Sequence, residues 1–210
     1  MSAIRQPFRY RHYNAVYWLI GINFLFFAMM HFLGMGRLVF EMSMIPARVA
    51  RSGAVWTFAT YMFVHGGFTH ILFNMLALFI FGTHVERHMG SREFLLFYFA
   101  TGVLAGAFSF ALYFLTGQHF VWLMGASGAV FAVSFAYAVL FPDAVIYIWG
   151  ILPVRAPIMV LGFTAIELFS QFFGRGSGVA HATHLAGFGF AWLYFVVRFG
   201  INPWERLRMR

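Results

Sequence analysis

The chain has no cysteine and no lysine, only one aspartate (Asp143), and just 10% charged residues. Without cysteine there are no disulfides, no thiolate nucleophile and no cysteine-rich metal site. With Asp143 alone in the turn Phe141-Pro142-Asp143-Ala144, an aspartyl mechanism, which needs two carboxyls sharing a proton, is excluded. The zinc-protease string His-Glu-x-x-His is also missing, so no helix face offers two ligands and a base. His181 and His184 are close in sequence, but no neighbouring carboxylate or thiolate completes a metal set. Neither a metal nor another cofactor is expected. Soluble domains carry roughly 25% charged residues. This chain is 62% hydrophobic with a mean hydropathy of +0.79, so it reads as an integral membrane protein whose surroundings are lipid. Its net charge of +8 comes from 14 basic residues, all arginine. They are scattered at the ends of apolar runs instead of clustering on one face, which argues against a nucleic-acid partner.

Apolar runs of spanning length fall at 16–33, 68–83, 94–115, 120–140, 156–173 and 181–199. A bilayer core needs about 20 apolar residues per helix, so the pattern predicts an all-α, polytopic, six-span membrane bundle. An even number of spans puts both termini on one side. Arg5, Arg9, Arg11, Arg87, Arg92, Arg155, Arg198, Arg206, Arg208 and Arg210 fall on that side, against Arg37, Arg48, Arg51 and Arg175 on the other. The excess of positive charge predicts cytoplasmic termini. The expected organisation is a cytoplasmic segment 1–14, a membrane domain 15–200 and a cytoplasmic tail 201–210. A full-length apolar run follows Asn14, so no cleavable leader is expected. The first loop, 34–61, is long and semi-apolar and suits the interface. The segment 145–153, rich in β-branched and aromatic residues, predicts an extended strap.

The fourth run carries Gly125-Ala126-Ser127-Gly128. Two glycines make a poor helix interior, so a regular helix is expected from Ser127 to Leu140. Fourteen residues rise about 21 Å, short of the ~30 Å hydrocarbon core. Ser127 is thereby placed below the membrane surface in a protein-shielded cavity. Gly128, Ala132 and Ala136 form one small-residue ridge, and His184, Gly187 and Ala191 form another on the last run. Small faces let membrane helices approach closely, and docking these two brings His184 to Ser127. Phe131, one turn on, is placed to stack on the imidazole, and Val133 is assigned to the lipid side. Taken alone, Gly-Ala-Ser-Gly reads equally as a packing motif, and the matched histidine face favours a nucleophile and base. His70 and Asn74 share a face of the second run, with His65 just before them. They read either as glue between helices or as donors to a developing oxyanion alongside the Ser127 amide. Glu86, beside Arg87 and Arg92, reads as a salt bridge or helix-end anchor. Glu167 reads either as a gate residue or, the favoured reading, as paired with a polar neighbour such as Gln171 at i+4.

These residues resemble the rhomboid family of intramembrane serine proteases. The matching strings are His65-Gly-Gly-Phe-Thr-His70-Ile-Leu-Phe-Asn74, the Glu86…Gly90-Ser91 segment, Gly125-Ala126-Ser127-Gly128 and Ala180-His181-Ala-Thr-His184-Leu-Ala-Gly187. The resemblance implies a six-helix rhomboid-like bundle with a cavity open to the outer side. It also implies a Ser127–His184 dyad without a third acid, and His70, Asn74 and the Ser127 amide as oxyanion donors. Gly125, Gly128, Phe131 and Gly187 take supporting places around the dyad. His181 is not the implied base, because the His-x-x-Gly pattern begins at His184. The implied substrates are transmembrane segments of other proteins, cut near their outer end after a small residue. The absence of extra helices resembles the simple prokaryotic form, which implies a prokaryotic inner membrane. A non-catalytic relative that only binds client helices would be expected to lack the serine or the histidine. The family often has Trp-Arg in the first loop, whereas this chain reads Trp56-Thr57, which leaves the arginine anchor of that loop open.

Overall fold

The computed structural model describes residues 5–148, 150–173 and 179–207. In chain order the helices are α1 (Ala15–His31), α2 (Arg37–Met42), α3 (Pro46–Ser52), α4 (Thr57–Thr60), α5 (Phe68–Ala77), α6 (Thr83–Met89), α7 (Ser91–Leu115), α8 (Ser127–Leu140), α9 (Ala156–Phe173), α10 (Val179–Tyr194) and α11 (Pro203–Leu207). A π-helical segment, Leu78–Gly82, joins α5 to α6, and a second, Phe195–Phe199, extends α10. Among the described residues, two helices are long and apolar enough to cross a membrane: the continuous run Phe68–Met89, with 22 residues, and α7, with 25. Ala15–His31, Ser127–Leu140 and Ala156–Ile166 are shorter apolar helices. The run through α5 and α6 outlasts its hydropathy signal because the polar Thr83-His84-Val85-Glu86 stretch continues the helix.

The strap at 145–153 is a β-hairpin, so the chain is mostly helical but not wholly α. Strands β1 (Val145–Ile148) and β2 (Leu152–Arg155) pair antiparallel, with Val145 opposite Arg155 and Ile148 opposite Leu152. β-branched residues favour this pleated conformation, Gly150 turns the chain at a φ of +73°, and Ala156 N–H donates to the Ala144 carbonyl at 2.9 Å to close the base.

Helix α8 lies at the centre, packed by α7, α9 and α10 and by the α5–α6 run. Apolar on every side, it has no lipid-facing stripe. Val133 is therefore fully buried and not on the lipid side as expected from the sequence. Gly187 of α10 abuts the backbone of Gly128, so closely that a Cβ there would overlap the Gly128 carbonyl. Ala132, Ala136 and Ala191 are all fully buried.

The long first loop is plugged into the bundle. Met44, Ala54, Tyr61 and Val64 are wholly buried. Met44 and Leu123 exchange backbone hydrogen bonds, Ala47 N–H donates to His119, and Gly125 N–H donates to the Tyr61 carbonyl at 2.9 Å. The irregular stretch before Ser127 is thus held by the loop, which satisfies backbone groups that no helix serves. Thr57 turns inward and donates its hydroxyl to Ala54. Arg48 lies 4.5 Å over Phe40 and 5.5 Å over Trp56, while pairing with Glu41.

Glu86 is an anchor, although not for its own helix. Buried to 1% exposure, its carboxylate accepts the N–H groups of Ala15 at 2.6 Å and Val16 at 3.0 Å and the Ser91 hydroxyl. It thereby satisfies the orphan donors at the start of α1 and sits at the favourable end of that helix dipole. Glu86→Ala is expected to destabilise the fold by about 3 kcal/mol, since it strands two buried donors. Unfolding in a graded series of denaturing detergent measures this, and an unchanged midpoint would refute the anchor. Glu93, which the sequence did not single out, is equally buried. It takes Arg198 through Nε at 2.7 Å and Nη2 at 2.9 Å, the Tyr194 hydroxyl at 2.5 Å and the Phe8 amide at 3.1 Å. Arg198, expected as a topology marker, is thus also a structural ion-pair partner. The side chains of Glu167 and Gln171 lie outside the described residues.

Candidate active site

Ser127 is the first residue of α8, and Gly125 lets the chain reach it. Gly125 has a φ of +114°, and a Cβ there would stand 2.7 Å from His70 Nε2. Any side chain would meet both backbone strain and the imidazole. The first amides of a helix have no intrahelical acceptor, so the Ser127 N–H is available at the positive end of the α8 dipole.

The Ser127 hydroxyl lies 2.8 Å from His184 Nε2. For Nε2 to accept that proton, the neutral ring carries its own hydrogen on Nδ1. Phe131 stacks on the imidazole with centroids 4.2 Å apart and planes 10° from parallel. This contact limits ring rotation about the bond that matters. Both side chains open into a cavity of about 650 Å³, lined also by Thr69, His70, Phe73, Asn74 and Phe163. The walls come from α5, the π-helical segment after it, the stretch before α8, and α8, α9 and α10. Phe73, Val130, Phe131 and Phe163 make the walls largely apolar, so a charge developing inside is weakly screened.

His70 and Asn74, one turn apart on α5, face this cavity. Asn74 Nδ2 donates to the His70 carbonyl at 2.9 Å, which uses one amide hydrogen and leaves the second. His65 is fully buried and sets its ring edge-on to His70 at 5.0 Å. His181 lies to the side, its ring 6.4 Å from that of His184. The residues singled out from sequence as nucleophile, base, oxyanion donors and stacking partner are therefore brought together, and His181 is not among those lining the described cavity.

Sequence reasoning missed the polar residues behind the site. Tyr61 donates its hydroxyl to Gly102 at 2.7 Å while its carbonyl holds the Gly125 amide. Ser109 and Thr183 meet at 2.6 Å between α7 and α10. Their signal was present as hydroxyl residues within apolar helices, since polar side chains at membrane depth are rarely idle.

The sequence pattern of the rhomboid domain matches residues 52–201, which include this whole constellation. The chain belongs to the rhomboid family. It is accordingly a membrane protein of an intramembrane protease family and a polytopic helical bundle. Rhomboid protease GlpG of Haemophilus influenzae is 32% identical over 142 residues, covering 68% of this chain and 69% of that protein. Rhomboid-like protein 16, chloroplastic, of Arabidopsis thaliana is 31% identical over 173 residues, covering 74% of this chain and 53% of the relative. Rhomboid-related protein 2 of Mus musculus is 34% identical over 146 residues, covering 65% and 45%. The chain thus spans about half the length of the plant and mouse rhomboids.

Proposed function

We propose that this rhomboid is an intramembrane serine endopeptidase that cuts transmembrane segments of other membrane proteins near their outer end. One observation carries the reading: Ser127 Oγ lies 2.8 Å from His184 Nε2, in a cavity shared with His70 and Asn74. His184 takes the Ser127 proton as Oγ attacks the scissile carbonyl. The tetrahedral oxyanion is met by the Ser127 N–H, His70 and Asn74. His184 then gives its proton to the leaving amine, and the acyl-enzyme is hydrolysed by the same steps with water as nucleophile. An intact substrate helix hides its carbonyls in its own hydrogen bonds, so local unwinding precedes attack. The accompanying topology has six spans, residues 15–200, with the segments 1–14 and 201–210 on the cytoplasmic side of a prokaryotic inner membrane.

The test is incubation of the purified chain in liposomes with a membrane-spanning substrate, followed by mass analysis of fragments. Two fragments meeting at one bond within or beside the span are expected. An intact substrate in the presence of demonstrably folded protein would sink the reading. His70→Ala and Asn74→Ala are each expected to lower kcat by about tenfold to a hundredfold with little change in KM. Loss of one oxyanion donor costs about 10²–10³ where fewer donors share the charge. A drop in unfolding midpoint that accounted for all lost activity would return both residues to the role of interhelical glue.

A further inference from the structure

We infer that Thr183 is a positioning residue for the His184 imidazole, acting through a buried hydroxyl pair with Ser109 that fixes the placement of α10 against α7 and α8. The inference rests on the reading of the site as a serine hydrolase and deepens it. Thr183 directly precedes His184, so the two side chains leave the same turn of α10 about 100° apart. One enters the cavity, and the other is buried to 1% exposure.

The two γ-substituents of Thr183 address different helices. Its hydroxyl lies 2.6 Å from Ser109 Oγ on α7. Ser109 donates its only proton to the Ala105 carbonyl at 2.9 Å, which makes Thr183 the donor in the interhelical bond. The Thr183 methyl touches α8 immediately after the nucleophile. A Cβ on Gly128 would lie 3.1 Å from Thr183 Cγ2 and equally close to Ala105 Cβ. A β-branched side chain has few rotamers in a helix, and here both branches are occupied. Rotation or sliding of α10 would break the bond to α7 or drive the methyl into Gly128. Either motion would also carry His184 away from Ser127.

Apolar packing alone would hold these helices without polar atoms, and hydroxyls buried in such a seam are unfavourable unless satisfied. What a hydrogen-bonded pair adds is direction, because it is satisfied at one register. That register sets the 2.8 Å contact between Ser127 and His184.

The test uses the full chain in detergent micelles with a fluorophosphonate probe, which reacts with an activated serine and needs no unwound substrate helix. Ser127→Ala provides the blank. Labelling rates are normalised to final extent, below the unfolding midpoint of each variant, so only folded sites are counted. Thr183→Val keeps the shape and removes the hydroxyl, and Ser109→Ala removes the same bond from the α7 side should Thr183→Val fold poorly. Both are expected to label about tenfold more slowly, with kcat per labelled site falling alike and KM unchanged, as for a small displacement at a reacting centre. Thr183→Ser, which restores the hydroxyl, is expected to return within about threefold of the parent rate, and the double variant to be no slower than its slower single. Parent-like labelling and kcat in both single variants, with only the unfolding midpoint lowered, would overturn the inference, and so would single losses that multiply in the double variant. If the parent chain is folded but neither labels nor cleaves, the hydrolase reading itself falls, and this inference with it.

Discussion

Ser127→Ala and His184→Ala are each expected to reduce cleavage of a membrane-spanning substrate to background, a loss of at least about 10⁴-fold. Nucleophile and base act as one unit, so removing either forfeits nearly the whole covalent pathway. Neither replacement should unfold the chain. Both side chains border a cavity and not a packed seam, and changes away from tight packing usually cost within about 1 kcal/mol. Cleavage assays on protein checked for native unfolding behaviour separate the two effects. His181→Ala is the informative neighbour, because its ring stands 6.4 Å from the proposed base. It should retain most activity. Should His181→Ala prove inactive and His184→Ala active, the base has been assigned to the wrong histidine.

Gly187→Val should produce the second large effect, through geometry alone. A Cβ at Gly187 overlaps the Gly128 carbonyl, which is backbone and cannot rotate aside. Helices α8 and α10 must separate or slide, at about 1–3 kcal/mol for the overpacking. The same displacement opens the Ser127–His184 contact, and a misplacement near 1 Å can cost about 10²-fold in rate. Activity per folded molecule should fall roughly a hundredfold, beyond any drop in yield. Leu193→Phe on the same helix adds bulk where the side chain is 43% exposed, and should be tolerated. Equal damage from both variants would show that α10 resists any change and that the Gly128 contact is not special.

Much of this site was legible because membrane-embedded chemistry leaves few candidates. With no cysteine and one aspartate, attention fell on Ser127 and the histidines. The glycines flanking Ser127 foretold a helix that begins there and ends at Leu140. What escaped is instructive. Hydropathy cannot distinguish a lipid-facing valine from a buried one, since both surroundings are apolar, and Val133 was misplaced for that reason. Glu93 went unnoticed because its partners Arg198, Tyr194 and Phe8 are far away in sequence and meet only on folding. Thr57 stood out against the Trp-Arg pair often seen in the family, while the stacking of Arg48 on Trp56 from eight residues earlier in the chain is visible only in space. The hairpin at 145–155 was half-seen as an extended strap, because strand composition was plain but pairing was not.

The carboxylate of Glu86 has a consequence for the order in which the bundle assembles. The amide of Ala15 finds its acceptor 71 residues downstream, so α1 emerges during synthesis with its leading donors unserved. Closing so long a loop is entropically slow compared with pairing neighbouring helices. The start of α1 is therefore expected to settle only after the α5–α6 run and the start of α7 have been made. A pulse-labelled chain halted before residue 86 should leave the start of α1 open to protease or hydrogen exchange, and one halted well beyond Ser91 should protect it.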